Sequence, residues 1–592
     1  MDETQRMSGS SQTRGARRRY RASRARIGIL GAISRSRGGL LGSTALQAAV
    51  LTLIGTPGNA QSVAPGTLPQ GGQVIAGAAR IATAGTAMQV TQTSNNATVN
   101  WNSFSIGGNA SVTFAQPSTQ AVVINRVIGP DPSVIAGRLS ANGQVVLTNQ
   151  SGVTFTDSAL VNVQTLVVSA PGISEANAKA GNLVFDQAAR PGAKVVNQGS
   201  ITVGQTGLAA LVAPQVANSG VITAKMGHVV LAGAEAHTVD LYGDGMLSVD
   251  VTKQVTTAPI GADGKPVLSL VTNTGLIQAD GGTVVLTAGA VDGIVQNLVT
   301  AGGTVSAATL GSNIGQVSIG GTGGSVIIQG TIAARGDAAG TMGGQVAVNA
   351  PGHNVTLAAG SKIDVSGRAG GGTVAVGTTI ARAQNRKAAG TPTARNVKMD
   401  RDAFIVADAI DSGKGGNVVL LSKGGSTDFA GSISARGGVA GGEGGLVEIS
   451  GDALTFVGKA NVGAVSGRDG TVLIDPDSVE IATGGAATLA TSATDGTTGT
   501  VTLDPATITG AKVVGNLEID ASKDITVTNA LDFTGGGVTV TGFTLRAGNN
   551  ITVNADITSH NSISLIAGDS GVTQCGDHNG CSDDQCHCVH LF

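Results

Sequence analysis

Residues 196–201 read Val-Asn-Gln-Gly-Ser-Ile, and residues 217–222 read Ala-Asn-Ser-Gly-Val-Ile. Their asparagines, Asn197 and Asn218, are 21 residues apart, and residues 273–277 (Asn-Thr-Gly-Leu-Ile) are a third copy. A period of about 20 residues is typical of one coil of a β-solenoid, in which each coil buries its apolar side chains by stacking on its neighbours. The repeat therefore predicts that residues 196–201 and 217–222 lie one above the other.

A second repeated unit, Gly-Gly-x-Val, supports the same architecture. Near the end of the chain, residues 524–527 and 550–553 form a further pair. Gly and Asn suit the corners of a coil because such corners need positive φ angles. The Gly-Gly-x-Val unit occurs at residues 281–284, 323–326, 343–346, 371–374, 415–418 and 444–447.

The composition excludes several classes of protein. The 592 residues include 91 Gly, with 41% hydrophobic, 12% charged and 2% aromatic residues, so apolar content is high and charge is low. Disordered chains have the opposite balance. Ten Arg against Asp2 and Glu3 give residues 1–60 a charge of +8, which leaves −10 for the rest of a chain whose total is −2. An acidic main body lacks the basic surface that binds nucleic acid.

The basic amino-terminal block has the pattern of an export signal. A long arginine-rich region precedes an apolar stretch from Leu40 to Ile54, and Ala60 follows Gly-Asn as the expected last leader residue. These are the three parts of a secretory signal peptide. The alternative is a retained membrane anchor, although the apolar stretch is shorter than the roughly 20 residues that a membrane span needs. Translation starts at Met1 or Met7.

All four cysteines lie at the carboxyl end, and residues 1–574 contain none. We expect two disulfides in an exported protein, zinc binding together with neighbouring histidines, or a tail that is foreign to the repeat. A chain without thiols is easily threaded through a pore. The cysteines are Cys575, Cys581, Cys586 and Cys588.

Five phrases between residues 100 and 145 carry a family resemblance. They read Asn-Trp-Asn-Ser-Phe-Ser-Ile (100–106), Val-Thr-Phe-Ala-Gln-Pro (112–117), Asn-Arg-Val-Ile-Gly (125–129), Pro-Ser-Val-Ile-Ala-Gly (132–137) and Ala-Asn-Gly-Gln-Val (141–145). In this order and spacing they resemble the secretion domain of filamentous haemagglutinin-like exoproteins of two-partner secretion. The resemblance covers about residues 72–251. One departure is Asn-Gln-Ser-Gly at 149–152, where the family has Asn-Pro-Asn-Gly.

The resemblance implies an all-β, right-handed parallel β-helix with an amino-terminal cap. It also implies export by the Sec machinery, then passage through a partner outer-membrane transporter with periplasmic recognition domains. The exported chain would act as a surface adhesin for a host-cell, matrix or carbohydrate receptor, without a cofactor. We divide the chain into a leader (1–60), a secretion domain (61–300), a repeat region (301–572) with a loop near 383–402, and a Cys/His-rich tail (573–592).

Two roles are open for the residues of these phrases. Trp101, the only tryptophan, covers the first coil or belongs to partner recognition, and Phe104 and Phe114 are expected to join it. Asn125, Arg126, Asn142 and Asn149 contact the transporter, or they are ordinary turn and ladder residues.

Two further patterns concern binding and catalysis. Arg335-Gly336-Asp337 matches an integrin-type attachment tripeptide, although the related phrase at 435–438 (Ala-Arg-Gly-Gly) has no Asp, so the Arg-Gly pair belongs to the repeat. A carbohydrate-active β-helix enzyme would need paired carboxylates. Asp475 and Asp477 could share a strand face, but the Ile-Asp-Pro phrase at 474–476 is better explained as a turn, and no set of Arg and His residues accompanies it. A truncated member of the contact-dependent inhibition or haemolysin type is the remaining alternative.

Overall fold

The computed structural model describes residues 63–241, 248–261, 263–388, 390–484, 500–510 and 512–568. The expected leader with its two possible start residues, and the Cys/His-rich tail with its four cysteines, lie outside these ranges. Among the described residues, no helix is long and apolar enough to cross a membrane.

The chain winds into successive rungs, each contributing one short strand to each of three faces, and equivalent strands pair in parallel. Val196 pairs with Ala217, and Ile201 pairs with Ile222. Asn218 in turn pairs with Asn273 across a longer interval of sequence. The prediction that the repeated phrases stack as neighbouring rungs of a parallel β-helix is confirmed.

Sheet 1 has eleven strands in the described residues. They are Ser133–Ile135, Val153–Phe155, Val195–Asn197, Val216–Asn218, Ser269–Asn273, Asn297–Ala301, Ser325–Ile328, Asn354–Leu357, Asn396–Met399, Ser426–Phe429 and Ala453–Phe456.

Sheet 2 begins with an antiparallel pair and continues in parallel. Its strands are Ala79–Ala84, Ala87–Gln92, Ser111–Ala115, Arg138–Ala141, Leu160–Val163, Ser200–Val203, Val221–Thr223, Leu276–Gln278, Thr304–Ser306, Thr331–Ala333, Lys362–Asp364, Phe404–Val406, Ser432–Ser434 and Lys459–Asn461.

Sheet 3 is joined to sheet 2 through its strand Val513–Ala521, which pairs with both. Its strands are Gln73–Ala76, Asn96–Trp101, Val122–Val127, Gln144–Asn149, Thr165–Ser169, Leu208–Ala213, His228–Gly233, Thr283–Gly289, Gln316–Thr322, Gln345–Asn349, Thr373–Val376, Asn417–Leu421, Leu446–Ser450, Thr471–Asp475, Val513–Ala521, Val540–Ala547 and Ile563–Ala567.

Smaller sheets and three short helices complete the described elements. The helices are Glu175–Ala180, Ile380–Gln384 and Pro505–Thr509. The remaining strands are Val184–Phe185, Ala236–Asp240, Ser248–Lys253, Ser478–Ile481, Thr500–Leu503, Ile525–Val527, Ile551–Val553, Leu531–Asp532 and Ile557–Thr558.

The interior is built from columns of aliphatic side chains that stand in register from rung to rung. Stacking of this kind buries apolar surface that a single rung would leave in water. One such column runs along sheet 3 and, up to Leu545, is fully buried. It comprises Leu147, Val168, Leu211, Leu231, Leu286, Ile319, Val348, Val376, Leu420, Ile449, Ile474, Ile519, Leu545 and Leu565.

The Gly-Gly-x-Val units mark the entry to strands, but not always to the same sheet. Five of the six lead into sheet 3, where Val346, Val374, Val418 and Val447 are stacked in register. The unit at 323–326 leads into sheet 1 instead. The pair at 524–527 and 550–553 stacks as expected, with Ile525 opposite Ile551.

The expected loop near 383–402 is only partly correct. Residues 377–388, which we call the crossing segment, contain the helix Ile380–Gln384, with Thr379 as its N-cap. Residues Asn396–Met399, however, form a regular strand of sheet 1 that pairs with Asn354–Leu357 and Ser426–Phe429. The strand forms because Val397 and Met399 alternate inward, while the charged residues between and around them face outward.

Candidate functional site

Trp101 lies fully buried in the first rungs, beneath an antiparallel cap. Its indole Nε1 donates a hydrogen bond to Asn125 Oδ1 at 3.0 Å, and its ring meets that of Phe104 edge-to-face with centroids 5.4 Å apart. The backbone of Gly72 approaches the Trp101 ring so closely that a Cβ there would overlap it. The strand Gln73–Ala76 therefore covers the indole only because a glycine precedes it.

Asn125 occupies a position in the interior that is otherwise aliphatic. It stands in the main column of sheet 3 between Val99 and Leu147, and its side chain is fully buried. The amide accepts the bond from Trp101 and donates from Nδ2 to the carbonyl oxygen of Val146 at 3.2 Å. A buried amide persists in such a column because both of its ends find partners.

Arg126 connects sheet 3 of the β-helix to the segment that precedes the short α-helix outside it. Its Nη1 donates to Asn100 Oδ1 at 2.8 Å, and its Nε donates to the carbonyl oxygen of Ile173 at 3.2 Å, next to the helix Glu175–Ala180. Burial lowers the pKa of Arg126, against the opposing charge of Glu175.

Asn142 and Asn149 differ in exposure. The exposed Asn142 holds the backbone of Gln116 with both ends of its amide, at 2.7 and 2.8 Å. Asn149 is fully buried and donates to Ser133 Oγ at 3.0 Å, while its Oδ1 accepts from the amide N–H of Ser151 at 2.9 Å.

The turn at residues 149–152 forms without the proline of the family. Gly152 N–H donates to the carbonyl oxygen of Asn149 at 2.8 Å, and Gly152 has a φ of 97°. The side chain of Asn149 closes an Asx-turn over Ser151, which supplies local order that a proline would otherwise give. Gln150 Nε2 further binds the carbonyl oxygen of Ala188 at 2.7 Å.

The outer face of sheet 3 between residues 122 and 233 is covered by a second apolar layer. The helix Glu175–Ala180 and three antiparallel strands, Val184–Phe185, Ala236–Asp240 and Ser248–Lys253, lie over it. Within this layer His237 stacks on Phe185, with ring centroids 4.4 Å apart. Neither of its ring nitrogens has a hydrogen-bond partner among the described residues, and burial lowers the pKa of His237 to about 3.

The Arg and Asp side chains of the tripeptide Arg335-Gly336-Asp337 bind each other. Arg335 Nε donates to Asp337 at 2.8 Å, and Arg335 Nη1 donates to Asp364 at 2.7 Å. Hydrogen bonds from Ser366 and Lys362, together with the charge of Arg335, lower the pKa of Asp364 although burial opposes this. The Arg335 guanidinium is therefore already paired with two carboxylates of the β-helix, Asp337 and Asp364.

The expectation that no Arg accompanies Asp475 is wrong. Arg386 of the crossing segment reaches Asp475 Oδ2 at 3.0 Å and Asp520 Oδ2 at 3.3 Å, across intervals of 89 and 134 residues. Burial, and then the charge of Asp520, raise the pKa of Asp475 to about 6 despite Arg386. Asp477 bonds instead to Ser522, at 3.0 Å.

Sequence reasoning did not single out Arg382, Arg386, Glu448 or His237. The arginines and their carboxylates are distant in sequence, so no spacing rule connects them. Among the described residues, no group of three or more His, Cys, Asp or Glu side chains is arranged to hold a metal ion.

Known proteins match this chain both in sequence and in structure. Residues 60–340 match the family model of the TPS secretion domain. The crystal structure of the HMW1 secretion domain from Haemophilus influenzae superposes with a TM-score of 0.55 at 26% identity, covering 67% of this chain and 99% of that one.

Two curated relatives, both named heme/hemopexin-binding protein and both from Haemophilus influenzae, are similar over shorter stretches. One is 44% identical over 96 residues, and the other is 39% identical over 98 residues. These matches cover 16% and 17% of this chain, but each covers only 11% of the relative's length.

The family that matches is one of secretion domains of exoproteins rather than of enzymes. The cap over Trp101, the five phrases between residues 100 and 145 and the rungs up to residue 340 fall inside the matched range. Residues 60–340 are therefore a TPS secretion domain, and the chain carries the secretion module of two-partner secretion exoproteins.

Proposed function

We propose that this chain is an adhesin-like exoprotein that crosses the outer membrane through a partner β-barrel transporter and folds outside as a β-helix. The observation that carries the proposal is the TPS secretion domain at residues 60–340. In this proposal the leader directs export by the Sec machinery and is removed near Ala60. The secretion domain then engages the transporter, and the rungs beyond it form the displayed surface.

The physics of the fold supports export without an external energy source. Each rung is stabilised by stacking on the preceding one, so rungs formed outside the cell template those that follow. A stacked rung cannot slide back through a narrow pore. The absence of cysteine from residues 1–574 leaves this part of the chain without disulfide loops during transit.

The asparagines proposed for transporter recognition differ in how far their side chains are exposed in the folded domain. Asn125 and Asn149 are fully buried in the folded domain, whereas Asn142 is exposed. A transporter that recognises the folded domain could contact Asn142 but not the two buried asparagines. A transporter that recognises the extended chain could contact Asn125, Asn142 and Asn149. We propose recognition of the extended chain, because most of the motif side chains are inaccessible once folded.

The relatives' names concern heme and hemopexin, and the proposal does not extend to that activity. The matched stretch is about a tenth of each relative's length. The receptor of the displayed surface is proposed only by class, as a host-cell, matrix or carbohydrate ligand.

The test is secretion of the full chain from a Gram-negative host with and without a two-partner outer-membrane transporter. We expect protease-accessible protein at the surface or in the medium only when the transporter is present. Asn125→Ala and Asn142→Ala should both reduce export if the extended chain is read, whereas the exposed Thr202→Ala is the control. Equal export without the transporter would refute the proposal.

A further inference from the structure

The crossing segment, residues 377–388, leaves the solenoid after the strand Thr373–Val376 and lies across the outer face of sheet 3. We propose that it is a clasp, which closes only when the strand Val513–Ala521 is in place and then locks five successive strands of sheet 3 together. The strands are Thr373–Val376, Asn417–Leu421, Leu446–Ser450, Thr471–Asp475 and Val513–Ala521.

The apolar part of the segment rests on the two earliest of these strands. Ala383 is buried against Ala375 and Val419, and Ile380 and Leu421 pack around them. This contact is small, so burial alone gives the segment little stability. A short helix of five residues is also unstable by itself.

The first arginine of the segment forms a buried ion pair with a later rung. Arg382 Nη2 and Nη1 bind Glu448 Oε1 and Oε2 at 2.6 and 3.1 Å, across 66 residues of sequence. The Glu448 side chain is fully buried, and Ser450 Oγ adds a third hydrogen bond at 2.9 Å. A charge buried this deeply requires its partner, so Glu448 and Arg382 depend on each other.

The second arginine reaches two rungs further. Arg386 bridges Asp475 and Asp520, which belong to the next two strands of sheet 3. The charges of Glu448, Asp475 and Asp520 raise the pKa of Arg386 although its burial opposes this. Arg386 therefore lies among three carboxylates, all of which come later in the chain than the segment itself.

The order of these partners along the chain determines when the clasp can close. If the chain folds from its amino end, as the proposed export requires, the segment emerges before any of the three carboxylates. It stays open while rungs are added and closes when Asp520 arrives. A closed clasp would then resist unstacking of the rungs between residues 373 and 521. This inference rests on the proposed function for its direction, but the clasp itself is testable in purified protein.

The kinetic test is pulsed hydrogen exchange with mass spectrometry during refolding of the full chain. We expect the amides of residues 380–388 to gain protection together with residues 513–521 and after residues 345–376. Protection of residues 380–388 at the same time as residues 345–376 would overturn the proposal. No transporter is involved, so a failed secretion experiment and a failed clasp experiment are distinguishable.

The equilibrium test compares native exchange in Arg386→Gln and Glu448→Gln with the matched control Lys387→Gln. Lys387 is adjacent and exposed, so Lys387→Gln removes the same charge as Arg386→Gln without breaking an ion pair seen among the described residues. We expect exchange of residues 380–388 to accelerate at least about tenfold in both variants. Exchange in residues 208–233 should not change. Arg386→Gln keeps the buried Arg382 pair intact and is the informative variant if Glu448→Gln does not fold. Exchange at the wild-type rate in Arg386→Gln would refute the clasp.

Discussion

Asn197 donates a hydrogen bond from Nδ2 to Asn218 Oδ1 at 2.8 Å, and Asn218 lies on the neighbouring rung of the solenoid. Asn218 repeats the bond to Asn273 Oδ1 at 2.7 Å, although 55 residues separate this second pair. The ladder thus continues across the rung from which the outer strands Ala236–Asp240 and Ser248–Lys253 project. Register in the solenoid is kept by position in the rung rather than by a constant period.

Removal of the middle asparagine should destabilise the rungs on both sides. In Asn218→Leu, Asn197 Nδ2 and Asn273 Oδ1 each lose a buried partner, and an unsatisfied buried polar group costs about 1–3 kcal/mol. We expect a lower midpoint of denaturant unfolding. Thr202→Ala, an exposed position nearby, is the control. An unchanged midpoint in Asn218→Leu would show that the ladder does not stabilise the fold.

The cap can be followed through the single tryptophan. Asn125→Ala leaves Trp101 Nε1 without its acceptor in a buried site, which should cost about 1–3 kcal/mol. We expect the fluorescence transition of Trp101 to move to lower denaturant concentration than in the wild type. If the emission and the unfolding midpoint both stayed at wild-type values, the Trp101–Asn125 hydrogen bond would not contribute to the stability of the cap.

His237 should make the outer layer sensitive to acid. Its pKa is about 3 in the folded chain and 6.5 in the unfolded one. Its contribution to stability is therefore complete above pH 6.5 and is lost as the pH falls from there toward 3. At pH 5 the loss is about 2 kcal/mol. His237→Phe should remove this loss, as measured by unfolding at pH 7 and pH 5. His560→Gln, at an exposed site, is the control, and an equal acid sensitivity in His237→Phe would contradict the assignment.

Asp475 should have the opposite effect on the pH dependence of stability, because it destabilises the fold as the pH rises. Its pKa is raised to about 6 from 3.8, so the folded chain favours its protonated form. This stabilisation is complete below pH 3.8 and is lost as the pH rises through 6. Asp475→Asn should therefore be about as stable as the wild type at pH 4. Its advantage in free energy of unfolding should grow as the pH rises toward 6 and should persist at pH 8. Asp477→Asn serves as the neighbouring control, and a gain that did not grow with pH would refute the raised pKa.

The sequence predicted the architecture because its information is local and periodic. Asn197 and Asn218 recur at one rung's spacing, so stacking followed directly. The two-sided burial of Leu208–Ala213 also left a signal, since all six residues are apolar where one face of a strand would normally be polar.

Other features lacked any such signal. The pair of Arg382 and Glu448 joins residues from separate rungs, and nothing in the spacing of either residue identifies the other. Nothing in the sequence indicated that His237 is buried, either. Its burial depends on the outer layer over sheet 3, and the repeat that predicts the rungs does not predict that layer. Long-range packing outside the solenoid is therefore the part that required coordinates.

The most direct test of rung stacking is disulfide cross-linking between designed cysteines, with Cys575, Cys581, Cys586 and Cys588 replaced by serine. Thr202 and Thr223 are in register on adjacent strands, and Gln278 is one strand further. Adjacent strands lie about 4.8 Å apart, within disulfide range, whereas two strands span roughly 9.6 Å, beyond it. We predict that Thr202→Cys with Thr223→Cys forms a disulfide on mild oxidation, and that Thr202→Cys with Gln278→Cys does not. The reverse result would contradict the stacked β-helix.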